Sequence, residues 1–325
     1  MTSPPTALPA TANVTAAGQV GPPPPAVHRT PRAVAGALVA LTKPRIIELL
    51  LVTTVPTMLL AQRGLPSLKL VLATLIGGTL AAGSANTINC YLDRDIDALM
   101  KRTSRRPLVN KQGAVTPAVA LIWGIALGAG ATAVLGLAAN WLSAALADAA
   151  ILFYVFVYTL LLKRRSPSNI VIGGAAGCFP VLVGWAAVKG TVAIPAILLF
   201  LVIFLWTPPH FWALAIARRD EYARAGIPML PVTHGVEYTR LHVLLYTVLL
   251  FVVTLMPFLT HMSGLLYLAV ALVLNIIFLY YALALKITAR QELPMRVFKF
   301  SVTYLMWLFA ALLVDHYLPN PTVGP

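Results

Sequence analysis

Acidic side chains are scarce in this chain: ten in 325 residues, against 24 lysines and arginines. Charge of either sign makes up only 10% of the sequence, well under the roughly 25% usual for soluble domains. That shortage excludes an ordinary water-facing surface. Cysteine is nearly absent as well. Cys90 and Cys178 lack any metal-ligand spacing and lie in or beside apolar runs, so both read as packing thiols rather than a disulfide or a metal centre. Short alternating strands, the mark of an outer-membrane barrel, are missing. A basic groove interleaved with stacking aromatics is missing too, which argues against nucleic acid as a partner.

What fills the chain is apolar: 59% of residues are hydrophobic, in long runs that recur from residue 46 to the C-terminus. Runs of that length span bilayers as helices. The expected fold is an all-α polytopic membrane protein, a bundle of about nine spans near 46–61, 68–90, 116–136, 140–162, 169–188, 192–217, 241–260, 264–285 and 298–317. On that count the basic residues alternate between sides. All of the 24 except Arg63, Lys69 and Lys189 fall in the N-terminal arm or the loops after spans 2, 4, 6 and 8. Lys and Arg favour the cytoplasmic side, so the N-terminus is expected in the cytoplasm and the C-terminus outside. The net charge of +14 is mainly a topology signal. Residues 1–35, with four prolines in a row at 22–25, read as a disordered cytoplasmic arm without a signal region. The bundle is then 36–318 and a short tail 319–325.

Three of the ten acids fall in one stretch, Asn89-Cys90-Tyr91-Leu92-Asp93-Arg94-Asp95-Ile96-Asp97. Asn89, Asp93 and Asp97 are four apart, so on a helix each step turns only about 40° and the three share a face. Oxygen ligands aimed together suit a hard divalent cation. Lys101, Arg102, Arg105 and Arg106 follow, and suit the phosphates such a cation carries. Salt bridges to Arg94 or Lys101 are the plainer alternative for these carboxylates.

A second polar cluster follows the sixth span: Trp206-Thr207-Pro208-Pro209-His210-Phe211-Trp212, then Arg218-Arg219-Asp220-Glu221-Tyr222 and Arg224. Asp220 and Glu221 fall in the same layer as Asp93 and Asp97, and the two clusters can face each other across a bundle. The alternative is local pairing with Arg218, Arg219 or Arg224. His210 lies after a Pro-Pro step expected to kink the helix. It can contact a large planar ligand or be a satisfied core histidine. Lys43 and Arg45 before the first span, and Tyr158, Lys163 and Arg164 ending the fourth, add groups to the same face. Glu48 is expected to pair with Arg45; Asp148 has no assignment.

The chain resembles the intramembrane, UbiA-type prenyltransferase superfamily over roughly 40–315. The resemblance rests on Leu41-Thr42-Lys43-Pro44-Arg45-Ile46, on Asn89 through Leu108, on Leu162-Lys163-Arg164 with Asn169-Ile170-Val171-Ile172-Gly173-Gly174, and on Pro208 through Pro231. The Asn89–Thr103 run and the Pro208–Trp212 block point to its haem-prenylating branch. That implies a farnesyl group moved from farnesyl diphosphate to a vinyl group of haem B, in the cell inner membrane with the site on the cytoplasmic side. A downstream haem A synthase is the implied protein partner.

The resemblance makes Asn89, Asp93 and Asp97 the first Mg²⁺–diphosphate motif, complete in this chain. The superfamily's second motif has two aspartates four apart. Here Asp220 is followed at that spacing by Arg224, so Asp220 and Glu221 serve one ion or only orient a base. Lys101, Arg102, Arg105, Arg106, Lys163 and Arg164 are the implied diphosphate contacts, with Arg105 and Arg106 foremost. Lys43, Arg45, Arg94, Tyr158, Arg218, Arg219 and Arg224 line the same pocket, and His210 with Trp212 is the implied haem contact. Two rival readings remain: a superfamily member acting on a quinone or chlorin precursor, and a secondary transporter, whose polar groups belong at mid-depth.

Overall fold

A computed structural model of the chain describes residues 30–109, 114–288 and 290–318, with the backbone alone for 45–51. The expected arm therefore lies outside the described residues up to 29. Its last part is ordered: α1 (Pro31–Leu41) starts inside the range assigned to the arm. Proline suits the first helical turn, and Thr30 caps it by accepting the Ala33 N–H at 3.3 Å.

The remaining elements are α2 (Pro44–Gln62), α3 (Leu68–Leu92), α4 (Arg94–Leu99), α5 (Pro117–Ala138), α6 (Trp141–Leu152) and a π-helix (Phe153–Leu162) that continues α6. Then come α7 (Asn169–Gly174), a 3₁₀ turn (Ala175–Cys178), α8 (Phe179–Lys189), α9 (Ile194–Ala217), α10 (Arg219–Arg224) and α11 (Leu230–Thr233). Three long helices close the chain: α12 (Val236–Leu259), α13 (Leu265–Ile287) and α14 (Leu293–Tyr317). Among the described residues eight helices are long and apolar enough to cross a membrane. α2, 19 residues long, covers the first expected span, 46–61. The protein is a multi-pass helical membrane protein.

Two helices begin a turn before their expected spans, α12 at Val236 rather than 241 and α14 at Leu293 rather than 298. Charge marked the expected ends, but the helices carry their charges through the interface as pairs. Arg240 and Lys286 both bond Glu237, and Arg296 bonds Glu292 at 2.7 Å. The Pro208–Pro209 step also fails to interrupt its helix, since α9 runs unbroken from Ile194 to Ala217.

Without a strong hydrophobic drive between helices in lipid, close packing uses small residues. α3 meets α5 through Gly77, Ala81 and Ser84 against Gly124, Gly128 and Ala131. A Cβ on Gly124 would come within 2.8 Å of Ile88 Cγ1. Asp148, unassigned from sequence, joins α6 to α5 by accepting the Thr132 hydroxyl at 2.8 Å. At the other end of the chain Asp315 of α14 caps α13, accepting the backbone N–H of Tyr267 at 3.1 Å and that of Gly264. Asn275 bonds Thr254 and Tyr304, tying α12, α13 and α14 together. Large apolar side chains such as Leu68, Ile122 and Ile276 point outward, as a lipid-facing surface requires.

Candidate active site

The acidic run does not form one helix. α3 stops at Leu92, Asp93 is the joint, and α4 starts at Arg94. Helical spacing nonetheless survives the joint: Asp93 N–H donates to Asn89 O at 2.9 Å and Asp97 N–H to Asp93 O at 2.8 Å. The three side chains therefore stay on one inward face, with exposures of 2%, 0% and 3%.

Buried carboxylates require partners; three cations, Lys163, Arg164 and Arg106, supply them, and a fourth, Lys43, reaches Asn89. Lys43 donates to Asn89 Oδ1 at 2.8 Å. Asn89 Nδ2 in turn donates to Asp93 Oδ2 at 2.7 Å and to Thr159 Oγ1 at 3.1 Å. Lys163 bonds Asp93 Oδ2. Arg164 forks onto Asp95 with two 2.7 Å bonds and stands 3.7 Å from Asp93 Oδ1. Arg106 bonds Asp97 at 2.6 Å. Burial pulls the Lys43 ammonium down to about 8, with Arg106 and Lys163 adding like-charge repulsion. The Arg164 hydrogen bond holds the Asp95 carboxyl at about 2.

The π-helix has a direct part in this geometry. Its wider turns bring Thr159 Oγ1 onto Tyr154 O at 2.8 Å and Lys163 N–H onto Tyr158 O at 2.8 Å. Thr159 and Lys163, four apart, thus both reach the Asn89–Asp93 pair. The Tyr154 and Tyr158 rings lie 5.1 Å apart beside them. Tyr158 fits because Gly173 on α7 faces it: a Cβ there would overlap the ring. A cleft of about 390 Å³ opens between α3 and the π-helix, lined by Leu92, Asp93, Arg94, Asp95, Thr159, Leu160 and Arg164.

The second cluster comes close. Burial raises the Tyr222 phenol above its ordinary value, and the positive charges of Arg102 and Lys163 oppose that rise. Ile96 and Met100 share one core with Tyr222, Ile227 and Met229. The second carboxylates divide by burial. Asp220 is exposed, whereas Glu221 turns inward, takes a 3.0 Å bond from Arg218 on Oε1 and leaves Oε2 buried with no partner. Asp93 Oδ1 and both polar atoms of the fully buried Asn169 have no hydrogen-bond partner either. Of these, Asp93 Oδ1, on the face shared with Asn89 and Asp97, has the donor chemistry that fits a cation. Among the described residues no three His, Cys, Asp or Glu side chains gather tightly enough to hold one alone. A hard cation there would complete its shell with waters or phosphate oxygens.

The other sequence candidates fall elsewhere. Lys101, Arg102, Arg105 and Arg224 are exposed and bond no carboxylate among the described residues, so of the foremost pair Arg106 reaches the acids. Arg94 bonds Tyr91 O and lies 4.8 Å above the Tyr91 ring. Arg219 donates to Pro231 O at 3.1 Å. The side chains of Arg45 and Glu48 lie outside the described residues. His210 takes the core-histidine option: it stacks between Trp206 at 4.3 Å and Phe298 at 4.5 Å, with Nδ1 2.6 Å from Ser301 Oγ. Trp212, two residues on, belongs to a different groove, beside α12. Thr159 and Tyr154 were not singled out from sequence, and Tyr222 and Asn169 were quoted within their runs without a site role. Only Asn169 carried a signal, a polar residue opening an apolar run.

Residues 50–311 match the UbiA prenyltransferase family. The chain is 58% identical over 281 residues to a protoheme IX farnesyltransferase of Parafrankia sp., covering 86% of this chain and 89% of that one. It is 57% identical to the protoheme IX farnesyltransferase of Frankia alni, covering 86% and 96%. The fold resembles one from a structural study of digeranylgeranylglyceryl phosphate synthase in membranes, with a TM-score of 0.74 at 19% identity over 87% of this chain and 98% of the other. It also resembles a UbiA homolog from Archaeoglobus fulgidus bound to GPP and Mg²⁺, with a TM-score of 0.58 at 18% identity, covering 85% and 99%. A family match over most of the length, with close relatives of nearly equal extent, decides the membership: the chain belongs to the UbiA prenyltransferase family.

Proposed function

We propose that this chain transfers the farnesyl group of farnesyl diphosphate to a vinyl group of protohaem IX, giving haem O. The observation that carries this reading is the 58% identity to a protoheme IX farnesyltransferase over nearly the whole of both chains. The acidic layer ringed by Lys43, Arg106, Lys163 and Arg164 supports it chemically.

Asn89, Asp93 and Asp97 are the proposed Mg²⁺ ligands; Glu221, with its buried unpaired oxygen, is the candidate of the second cluster, and Asp220 is exposed. Mg²⁺ bound there with the substrate would supply charge neutralisation of the leaving diphosphate. The remaining steps fall to side chains. Lys163 and Arg164 move from carboxylate to phosphate oxygens, and Lys43 and Arg106 flank them. The allylic C1–O bond breaks with its electron pair leaving on diphosphate. The vinyl terminal carbon attacks C1, water adds to the adjacent carbon, and that water loses a proton. The product carries a hydroxyethylfarnesyl group. The cleft suits an amphipathic donor, with Asp93 and Arg164 at one part and Leu92 and Leu160 at another. Leu160 faces lipid, where an apolar tail belongs.

The same reading places the protein in the cell inner membrane with nine spans, the acidic layer cytoplasmic and a haem A synthase downstream. The basic-residue alternation supports that orientation. The test is reconstitution with Mg²⁺, farnesyl diphosphate and iron protoporphyrin IX, followed by mass analysis of the pigment. The expected product is protohaem plus one farnesyl group and one hydroxyl, its formation lost on chelation of Mg²⁺ and restored by adding it back. Prenylation of a quinone or chlorin precursor in place of haem would overturn the assignment.

A further inference from the structure

A second groove, of about 320 Å³, lies between α7, α9 and the start of α12, and the acidic layer takes no part in it. One wall is a four-residue ladder: His234, Tyr238, His242 and Tyr246. Their rings follow one another, His234 on Tyr238 at 5.1 Å and Tyr238 on His242 at 4.1 Å. Trp212 meets His242 and Tyr246 edge-on, at 5.9 and 5.2 Å. Val171 of α7 supplies an apolar opposite side.

Tyrosine and tryptophan collect at membrane interfaces for general reasons. Two further observations are not explained that way. His242 Nδ1 lies 2.9 Å from Tyr238 O. A carbonyl only accepts, so Nδ1 carries the proton and the neutral ring keeps its lone pair on Nε2. Imidazoles that bind metals are commonly oriented by such a bond. Trp212 is 2% exposed, yet its Nε1–H has no acceptor. A buried indole donor without a partner costs free energy unless a ligand supplies one.

We propose that this groove docks the acceptor metalloporphyrin, with His242 Nε2 as axial ligand to iron, the macrocycle against the aromatic ladder, and the Trp212 N–H given to a porphyrin carboxylate. Imidazole is a common proximal ligand of haem iron, and flat apolar rings pack on aromatic walls. The groove adjoins the chemistry. The loop that sends Lys163 and Arg164 to the acidic layer sends Pro167 into this groove, and three residues span no more than about 11 Å. α7 itself packs against the π-helix through Gly173 and Tyr158. The docking assignment rests on the haem-acceptor reading above.

The test is titration of ferric protoporphyrin IX into the full-length protein in nanodiscs without farnesyl diphosphate, read by Soret absorbance and electron paramagnetic resonance. Wild type is expected to show imidazole ligation. His242→Ala should lose that signature and weaken binding by about tenfold or more, while His261→Ala, in the turn between α12 and α13 and outside the groove, retains it. His242→Cys should replace the imidazole signature with a thiolate one, a change that reports ligand identity whatever the affinity. Wild-type spectra in His242→Ala and His242→Cys, or no haem binding by wild type, overturn the proposal. Those results together with intact haem prenylation leave the enzymatic reading standing. Failure of prenylation in the reconstitution overturns the enzymatic reading and the proposal with it.

Discussion

Lys163, at the end of the π-helix, is bonded to Asp93, the joint between α3 and α4, across seventy residues of chain. The carboxylate is wholly buried and the ammonium nearly so. Asp93 Oδ1 keeps no hydrogen-bond partner and has only the Arg164 guanidinium, at 3.7 Å. On the proposed function, Lys163 exchanges this carboxylate for a phosphate oxygen.

Lys163→Met should weaken farnesyl diphosphate binding by roughly ten- to a hundredfold, since a hydrogen bond to a charged group contributes about 1.5–3 kcal/mol. Asp93→Asn should remove Mg²⁺-dependent turnover while the protein still inserts. Direct diphosphate binding and product formation, measured on both variants, separate the two effects. Near-normal turnover in Asp93→Asn would reduce the pair to a structural salt bridge.

The second cluster makes an asymmetric prediction. Glu221 is turned inward with an orphaned oxygen, whereas Asp220 is exposed. Glu221→Gln should lower turnover by about a hundredfold, the scale of losing one charge-stabilising group at a reacting centre. Asp220→Asn should change it only a few times. Initial rates across a Mg²⁺ series would show this, and equal losses would contradict the burial argument.

His210 should behave as a packing residue. Its ring fills a stack between Trp206 and Phe298. His210→Ala should destabilise the bundle by about 3–5 kcal/mol, as large-to-small changes of aromatic core residues do. His210→Phe should restore most of that, with KM for both substrates near wild type. Thermal unfolding in detergent and steady-state kinetics test both halves.

Gly173→Ala should cost about 1–3 kcal/mol through overpacking against Tyr158. Because Tyr158 sits one turn before Lys163, turnover should fall with stability. Ala at Gly177, where an added Cβ meets nothing within 4 Å, is the comparison. Equal behaviour of the two variants in unfolding and rate measurements would deny Gly173 its role.

The membrane class, the approximate spans and the Asn89–Asp93–Asp97 set were legible in the sequence because each depends on local regularity. Apolar run length marks a span wherever its neighbours sit. A four-residue spacing puts side chains on one face even across the joint at Asp93. Span ends were less legible, since ion pairs such as Glu237 with Arg240 and Lys286 carry α12 beyond its apolar limit.

Which cations serve the acids was decided only by the tertiary structure. Lys101, Arg102, Arg105 and Arg106 look alike along the chain, yet Arg106 alone bonds Asp97, while Lys43 and Lys163 arrive from 46 and 70 residues away. The fate of His210 and the exposure of the His234–Tyr246 ladder were decided the same way. A histidine flanked by aromatics can face a ligand or a neighbouring helix, and only the position of α14 selects the second. Sequence periodicity assigns residues to faces; helix packing decides what each face meets.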